Sequence, residues 1–438
     1  MTVRAIQGRL LSFTDDPAQV GPEASVRYLE DGLLVIEDGL IAAIGPAEEI
    51  ELPPGTPVDR YGHELILPGL IDPHIHYPQT RVIASYGAQL LEWLQKYTFV
   101  EEQKLKDPHH AEAVAEFFLD ELLRNGTTTA VVYCSVHPES VEAFFTASHK
   151  RNLRMIAGKV MMDRGAPPGL LDTAEQGYRE SKDLLARWHG VGRQLYAVTP
   201  RFALTSTPAQ LEAAGALLRE HPGVWLQTHL SENTDEIATA LRLYPEAASY
   251  TDIYDRYGLL GSRSLFGHCI HLGEPELERL SATGSIAVFC PTSNLFIGSG
   301  LFDRGLLQDP RRPVQTALAT DVGGGTSYSM LRTAAEAYKV LQLRRQNLPA
   351  LEAFYLMTLG NARALSLDDR IGALEPGREA DLVVLDAGAT PAMAHRMVSV
   401  AGDLAEELFV LMTMGDDRAV AATYVMGAQA GPVRAERA

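Results

Sequence analysis

Eight short apolar runs recur between residues 69 and 321, and segments with helical periodicity separate them. The runs cover 69–76, 127–133, 154–161, 195–202, 224–229, 264–268, 285–290 and 316–321. Short apolar runs that alternate with amphipathic helices call for parallel strands joined by crossover connections. Eight such units are the number that closes a (β/α)8 barrel. The intervening segments carry helix signals. Asp107-Pro108 can cap and start one helix, Val114, Phe117, Phe118, Leu122 and Leu123 give it an apolar face, and Gly126 can end it. Another runs from Pro208 to Glu220, with Leu211, Ala214, Leu217 and Leu218 on one side.

Both ends of the chain read differently. Within 33–44, Asp38-Gly39 separates two apolar runs, a strong hairpin signal. After about residue 370, stretches 380–386 and 421–426 read as strands, with a helix from Asp403 to about Met414 between them. The expected α/β architecture is therefore a TIM-like barrel over 68–370. Residues 1–67 and 371–438 together build a small β-sandwich domain. No tandem repeat, low-complexity segment or long linker interrupts this plan.

Charge narrows the function classes. The chain has 438 residues and a net charge of −18, from 38 basic and 56 acidic residues. That balance opposes binding to nucleic acid or to an anionic membrane, which needs basic clusters. No apolar run reaches the roughly 18 residues of a membrane span, and no secretory signal opens the chain. The three cysteines, Cys134, Cys269 and Cys290, form no C-x-x-C pair and suit the reduced cytoplasm.

In a barrel of this kind, chemistry gathers at the C-terminal ends of the strands. The first run ends with His74 and His76, which a strand points to the same face. The fifth ends at His229, with Glu232 three residues on, the sixth at His268 and the eighth at Asp321. Each residue has an ordinary explanation: a satisfied core histidine for His229 or His268, a helix cap for Asp321, a solvated first-turn acid for Glu232. All of these must hold together to remove the site. Three imidazoles and a carboxylate on one divalent metal leave room for a water, which zinc activates at neutral pH. Asp321 takes the water's proton, Glu232 carries a proton to a ring nitrogen, and His268 holds the nucleophilic water.

A set of longer motifs carries a resemblance. They are PGLIDPHIHYPQ (68–79), SYGAQLLEWLQKYTF (85–99), PRF (200–202), HLSEN (229–233), GHC (267–269), PTSNL (291–295) and TDVGGGTSYSML (320–331). Over about residues 66–370 they resemble the guanine deaminases, within the amidohydrolase superfamily. GALEPGREADLVVLD (372–386) is a more general feature of that superfamily. The resemblance implies hydrolytic deamination of guanine to xanthine and ammonia in purine catabolism. It also implies one Zn2+ per subunit (another divalent metal such as Fe2+ stays open), with His74, His76, His229 and Asp321 as metal ligands, and a homodimer acting on a small purine base. Gln79 and Arg201 then recognise the purine and Phe202 stacks on or walls it, beside His229 and Glu232. Trp93 and Leu91 are expected to serve helix packing, Lys159 to be structural, and His271 has no assigned role. Thr199 stands where a smaller residue is expected before PRF. The neighbouring possibility is an aminohydrolase acting on another amino-purine, a pterin or a triazine. A non-catalytic scaffold is disfavoured, because every ligand-type residue is retained. The H-x-E and P-C-x-x-C signature of the unrelated zinc deaminases is absent.

Overall fold

The computed structural model describes residues 3–87, 89–400 and 402–431, so the outer tips of both terminal segments lie outside the described residues. Eight parallel strands wrap in sequence order into a nearly closed barrel. They are Leu70–His76, Thr127–Tyr133, Arg154–Gly158, Gln194–Pro200, Trp225–Leu230, Ser264–His268, Ile286–Phe289 and Gln315–Leu318. All eight apolar runs thus become strands. The third is shorter than its run because the Lys159 amide turns to the Tyr196 hydroxyl at 3.3 Å instead of a ladder carbonyl. Val160–Met161 then resumes as a short strand against the fourth.

The barrel interior is filled by one inward residue or two from each strand, among them Ile71, Val131, Ile156, Ala197, Trp225, Leu265, Val288 and Ala317. Each Ile, Val or Leu buried there contributes about 1.5–3 kcal/mol. The helices pack outside. Pro108–Arg124 starts where Asp107 accepts from the His109 amide at 3.0 Å, and Thr207 caps Pro208–Glu220 through the Gln210 amide at 3.3 Å.

No ladder joins the eighth strand to the first; side chains and single backbone bonds close that seam. Asn361 donates to the carbonyls of Ile71 (2.8 Å) and Leu318 (2.9 Å) and accepts from the Leu318 amide (3.0 Å). Higher up, the Asp321 amide donates to the His74 carbonyl at 2.9 Å, and the His76 amide to the Val322 carbonyl at 2.7 Å. These two bonds place Asp321 beside both histidines of the first strand.

The termini form one mixed sheet, in the order Ala428–Ala430, Val420–Val425, Leu382–Leu385, Val58–Pro68, Val3–Phe13, Val26–Glu37 and Leu40–Pro46. The expected sandwich is realised as a single continuous sheet with two apolar faces. One face carries Ile6, Leu10, Leu34, Ile66, Leu382 and Tyr424. The alternate residues Leu11, Phe13, Leu65, Leu67 and Val383 join the main core. The hairpin forms as expected, with Asp38 at φ 48° and Gly39 at φ 87°, the left-handed pair a tight hairpin turn needs. A buried charge network ties this sheet to the base of the barrel. Arg154 donates to Glu379 at 2.7 Å, and Arg193 bonds both Glu379 (2.6 Å) and Asp381 (3.2 Å).

Candidate metal centre and active-site pocket

His74 and His76 leave the end of the first strand on one face, His229 comes from the fifth, and Asp321 lies just past the eighth. Asp321 Oδ1 is 3.4 Å from His74 Nε2 and 3.3 Å from His76 Nε2; His229 Nε2 is 3.3 Å from His76 Nε2. One ligand atom from each of the four lies within 4.8 Å of the others, and all four residues are buried. Ligand atoms roughly 2.0–2.2 Å from one ion sit about 3–4 Å apart, which matches the three separations just given.

Polar satisfaction makes the same case. His74 Nε2, the ring nitrogen that faces Asp321, is buried without a hydrogen-bond partner. Buried nitrogens are seldom left so unless something else takes the lone pair, and a cation does so. His229 Nδ1 lies 2.8 Å from the Arg201 carbonyl and donates to it, so the Nε2 lone pair points into the centre. Burial pushes the His76 pKa down to about 3 and that of His229 well below the usual range, which keeps both rings in the neutral, ligating form. Burial opposes ionisation of Asp321, yet its contacts with His74 and His76 outweigh it and hold the carboxyl well below its ordinary value. The donor set therefore fits a divalent cation.

The surroundings are arranged to keep these rings in place. Tyr133 underlies three of them, with ring centroids 4.3 Å from His76 and 4.9 Å from both His74 and His229. Gly267 lies against His74. A Cβ there would stand 2.5 Å from His74 Cε1, so the glycine before His268 is required by close approach. His268 and Asp321 both have left-handed backbone, at φ 74° and 51°. Such conformations cost on the order of 1–3 kcal/mol each and persist where the surrounding structure dictates them.

Around the four lie the groups suited to proton transfer. His268 Nδ1 is bonded to Asn294 Oδ1 at 2.8 Å, which leaves Nε2 facing Glu232 Oε2 at 3.4 Å and Asp321 Oδ2 at 3.8 Å. Glu232 Oε1 accepts from the Ser299 hydroxyl at 2.9 Å. Burial first, and then the charge of Asp321, raise the Glu232 pKa to about 8.

These residues open onto one shared, concave pocket of mixed apolar and polar lining. Gln79, Arg201, Phe202, His76, His229, Glu232, His268 and Asp321 all line it, while His74 lies outside its lining. The expected metal ligands, proton carriers and purine contacts are thus brought together, with His74 just behind the pocket wall. Trp93 differs from expectation. It lines the pocket with Leu90 and Leu94, whereas Leu91 is half-buried against the main core. Lys159 is outside the pocket lining, paired with Asp172 in the interior. His271 donates from Nε2 to the Ser299 carbonyl at 2.8 Å.

Four further residues matter that sequence reasoning did not assign: Tyr133, Asn294, Ser299 and Glu102. Asn294 falls within the PTSNL motif, which was the one available signal; the others carry no local pattern. Glu102 is buried beside Gln79 and Arg201. It accepts from Gln79 Nε2 at 2.9 Å and from Arg201 Nη1 at 2.9 and 2.7 Å.

Comparison with known proteins agrees with this geometry. Residues 65–430 match the amidohydrolase family. The guanine deaminase of Escherichia coli (strain K12) is 49% identical over 97% of each chain, and the E. coli guanine deaminase structure superposes with a TM-score of 0.94 over 98% of this chain and 99% of that one. The guanine deaminase structure from Bradyrhizobium japonicum is 41% identical, also with a TM-score of 0.94 and the same coverage. That from C. acetobutylicum, with guanine bound in its active site, is 26% identical with a TM-score of 0.85, again covering 98% and 99%. The chain belongs to the amidohydrolase family.

Proposed function

We propose that this protein hydrolyses the exocyclic amine of guanine, releasing xanthine and ammonia, with one zinc ion per subunit. One juxtaposition carries the reading: Gln79, Arg201 and Phe202 line the same pocket as the His76, His229 and Asp321 cluster and the Glu232–His268 pair. Guanine is flat, neutral and rich in donors and acceptors, so an amide, a guanidinium and an aromatic wall suit it. Sequence identity to guanine deaminases over nearly the whole chain supports the same substrate.

His74, His76, His229 and Asp321 would hold the metal, and three nitrogens with one oxygen suit zinc. A zinc ion there supplies Lewis acidity and lowers the pKa of water from 15.7 to roughly 7. The chain's own residues do the rest. Asp321, ionised, accepts the proton that attacking water gives up. Glu232, held largely protonated by its buried position, delivers its proton to a ring nitrogen of guanine as C2 is attacked; Asp321 then gives the proton it accepted to the departing amine, and the hydroxyl proton lost as the new C2 carbonyl forms returns to Glu232. His268 orients the water through Nε2, because Asn294 occupies its other nitrogen. Phe202 and Trp93 confine the ring between apolar surfaces. The balance is one guanine and one water to one xanthine and one ammonia.

The reading extends to a homodimer working in the cytosol. Three free, buried cysteines suit a reducing compartment. Among the described residues, no helix is long and apolar enough to cross a membrane. It also treats 68–370 as the catalytic domain and 1–67 with 371–438 as the supporting one. The test is ammonia release from guanine, adenine, 8-oxoguanine, pterin and cytosine, with and without a chelator. Guanine is expected to be turned over fastest, and only without chelator. Faster turnover of another base, or indifference to the chelator, contradicts the proposal.

A further inference from the structure

We infer that Glu102 is a positioning residue that makes one wall of the pocket a donor-only surface, and so selects a carbonyl oxygen on the base over an amino group; this rests on the guanine reading above. Glu102 is 1% exposed and does not line the pocket itself. It sits at the end of the short helix Phe99–Glu102, which follows directly on the π turn Leu94–Thr98. Its backbone carbonyl accepts from the Ser135 hydroxyl at 3.3 Å, which ties the segment to the end of the second barrel strand.

A carboxylate only accepts hydrogen bonds, so its neighbours must turn donors toward it. Gln79 does so with Nε2, and its oxygen faces the Gly323 amide at 3.3 Å. The direction of that amide is thereby set. The hydrogen left over for the pocket is an N–H of Gln79, and its carbonyl oxygen is engaged elsewhere. Arg201 has only donors, and Nη1 is held by both oxygens of Glu102. Its guanidinium also lies over the Phe99 ring, 5.4 Å from the centroid, which fixes its plane from a second side. Two side chains that follow different barrel strands, Gln79 after the first and Arg201 after the fourth, are thus oriented by one buried group that does not line the pocket.

The consequence is chemical selection. N–H groups aimed into a dry pocket pair with a carbonyl oxygen or an unprotonated ring nitrogen. Presented with an exocyclic amine, they leave donors facing donors, a mismatch that buried sites penalise heavily. Glu102 also neutralises Arg201 locally, so a neutral base enters a wall with no uncompensated charge. Without Glu102, Gln79 is free to turn its oxygen inward, and the wall loses its polarity.

The test uses Glu102→Gln in the metal-loaded, full-length protein. Inhibition constants are measured for hypoxanthine, which has the 6-oxo group, and purine, which lacks it, together with kcat and KM for guanine. The wild type is expected to prefer hypoxanthine. In Glu102→Gln that preference should narrow by about tenfold or more, with the guanine KM raised more than kcat is lowered and metal content unchanged. Should Glu102→Gln fail to fold, Glu102→Asp, which keeps the charge but is a methylene shorter, is expected to narrow the same ratio. An unchanged ratio and KM in a folded, metal-loaded variant overturns the proposal. Wild-type protein that releases no ammonia from guanine instead overturns the reading beneath it, a result distinct from an unchanged ratio.

Discussion

Ser299 holds the carboxyl of Glu232 through a 2.9 Å hydrogen bond, and His271 holds Ser299 in turn by its carbonyl. The hydroxyl lowers the Glu232 pKa against the larger upward push of burial. Ser299→Ala removes that counterweight, so the pKa of Glu232 moves further up. The limb of the pH–kcat profile that reports Glu232 should shift to higher pH, and kcat should fall about tenfold with KM nearly constant. A superimposable pH profile contradicts this link.

Glu232→Gln keeps the shape of the side chain and removes its capacity to transfer a proton. Metal content should be retained, because Glu232 is not among the four converging ligands. The expected loss in kcat is about 10² to 10⁴. Turnover close to wild type removes Glu232 from the proton path.

Gly267→Ala tests how tightly the centre is packed. A Cβ at 2.5 Å from His74 Cε1 forces the imidazole to move, and the rings of Tyr133, His229 and His268 already stand around it. The variant should fold, with the far-ultraviolet circular dichroism of the wild type, and bind metal about ten- to a hundredfold more weakly. Undiminished affinity contradicts the close approach.

The charge network at the base of the barrel makes a prediction about stability. Glu379 is buried between Arg154 and Arg193, and removing it leaves two buried guanidinium groups without their shared partner. Glu379→Ala should cost about 3–5 kcal/mol in denaturant unfolding. Burial opposes ionisation of Glu379, but the hydrogen bond from Arg154 and the two positive charges hold its pKa below the usual 4.5. The folded pKa is depressed, so this stabilisation is complete above about pH 4.5 and is lost as pH falls through the folded value. The wild type should lose its advantage over Glu379→Ala in that acid window; a constant gap in midpoint across it contradicts the assignment.

The parts of this molecule that were legible in the sequence are those with a local signal. Period and punctuation marked all eight barrel strands, and the ends of those strands marked His74, His76, His229, His268 and Asp321. Asp38-Gly39 marked its hairpin because only a left-handed pair makes that turn. What escaped depends on contacts distant along the chain. Asn361 closes the barrel seam from beyond the eighth strand, and nothing in its neighbours announces that its amide will meet the carbonyls of Ile71 and Leu318. Glu102 looks like any acid on a helix until Gln79 and Arg201 are brought to it. The sequence around Trp93 points to packing, because an apolar helix residue usually packs; here the same burial also forms the pocket wall. The parallel pairing of Val3–Phe13 with Val58–Pro68 was equally hidden, since no turn motif links two strands that others separate.

Metal stoichiometry on the purified chain tests the central claim most directly. After chelation and reloading with zinc, elemental analysis of the wild type should give one metal per chain, while His74→Ala and Asp321→Ala, folded by circular dichroism, should retain about a tenth of that or less and release no ammonia from guanine. Full metal occupancy in either variant would mean that the four side chains do not share one cation, and the account would be wrong at its foundation.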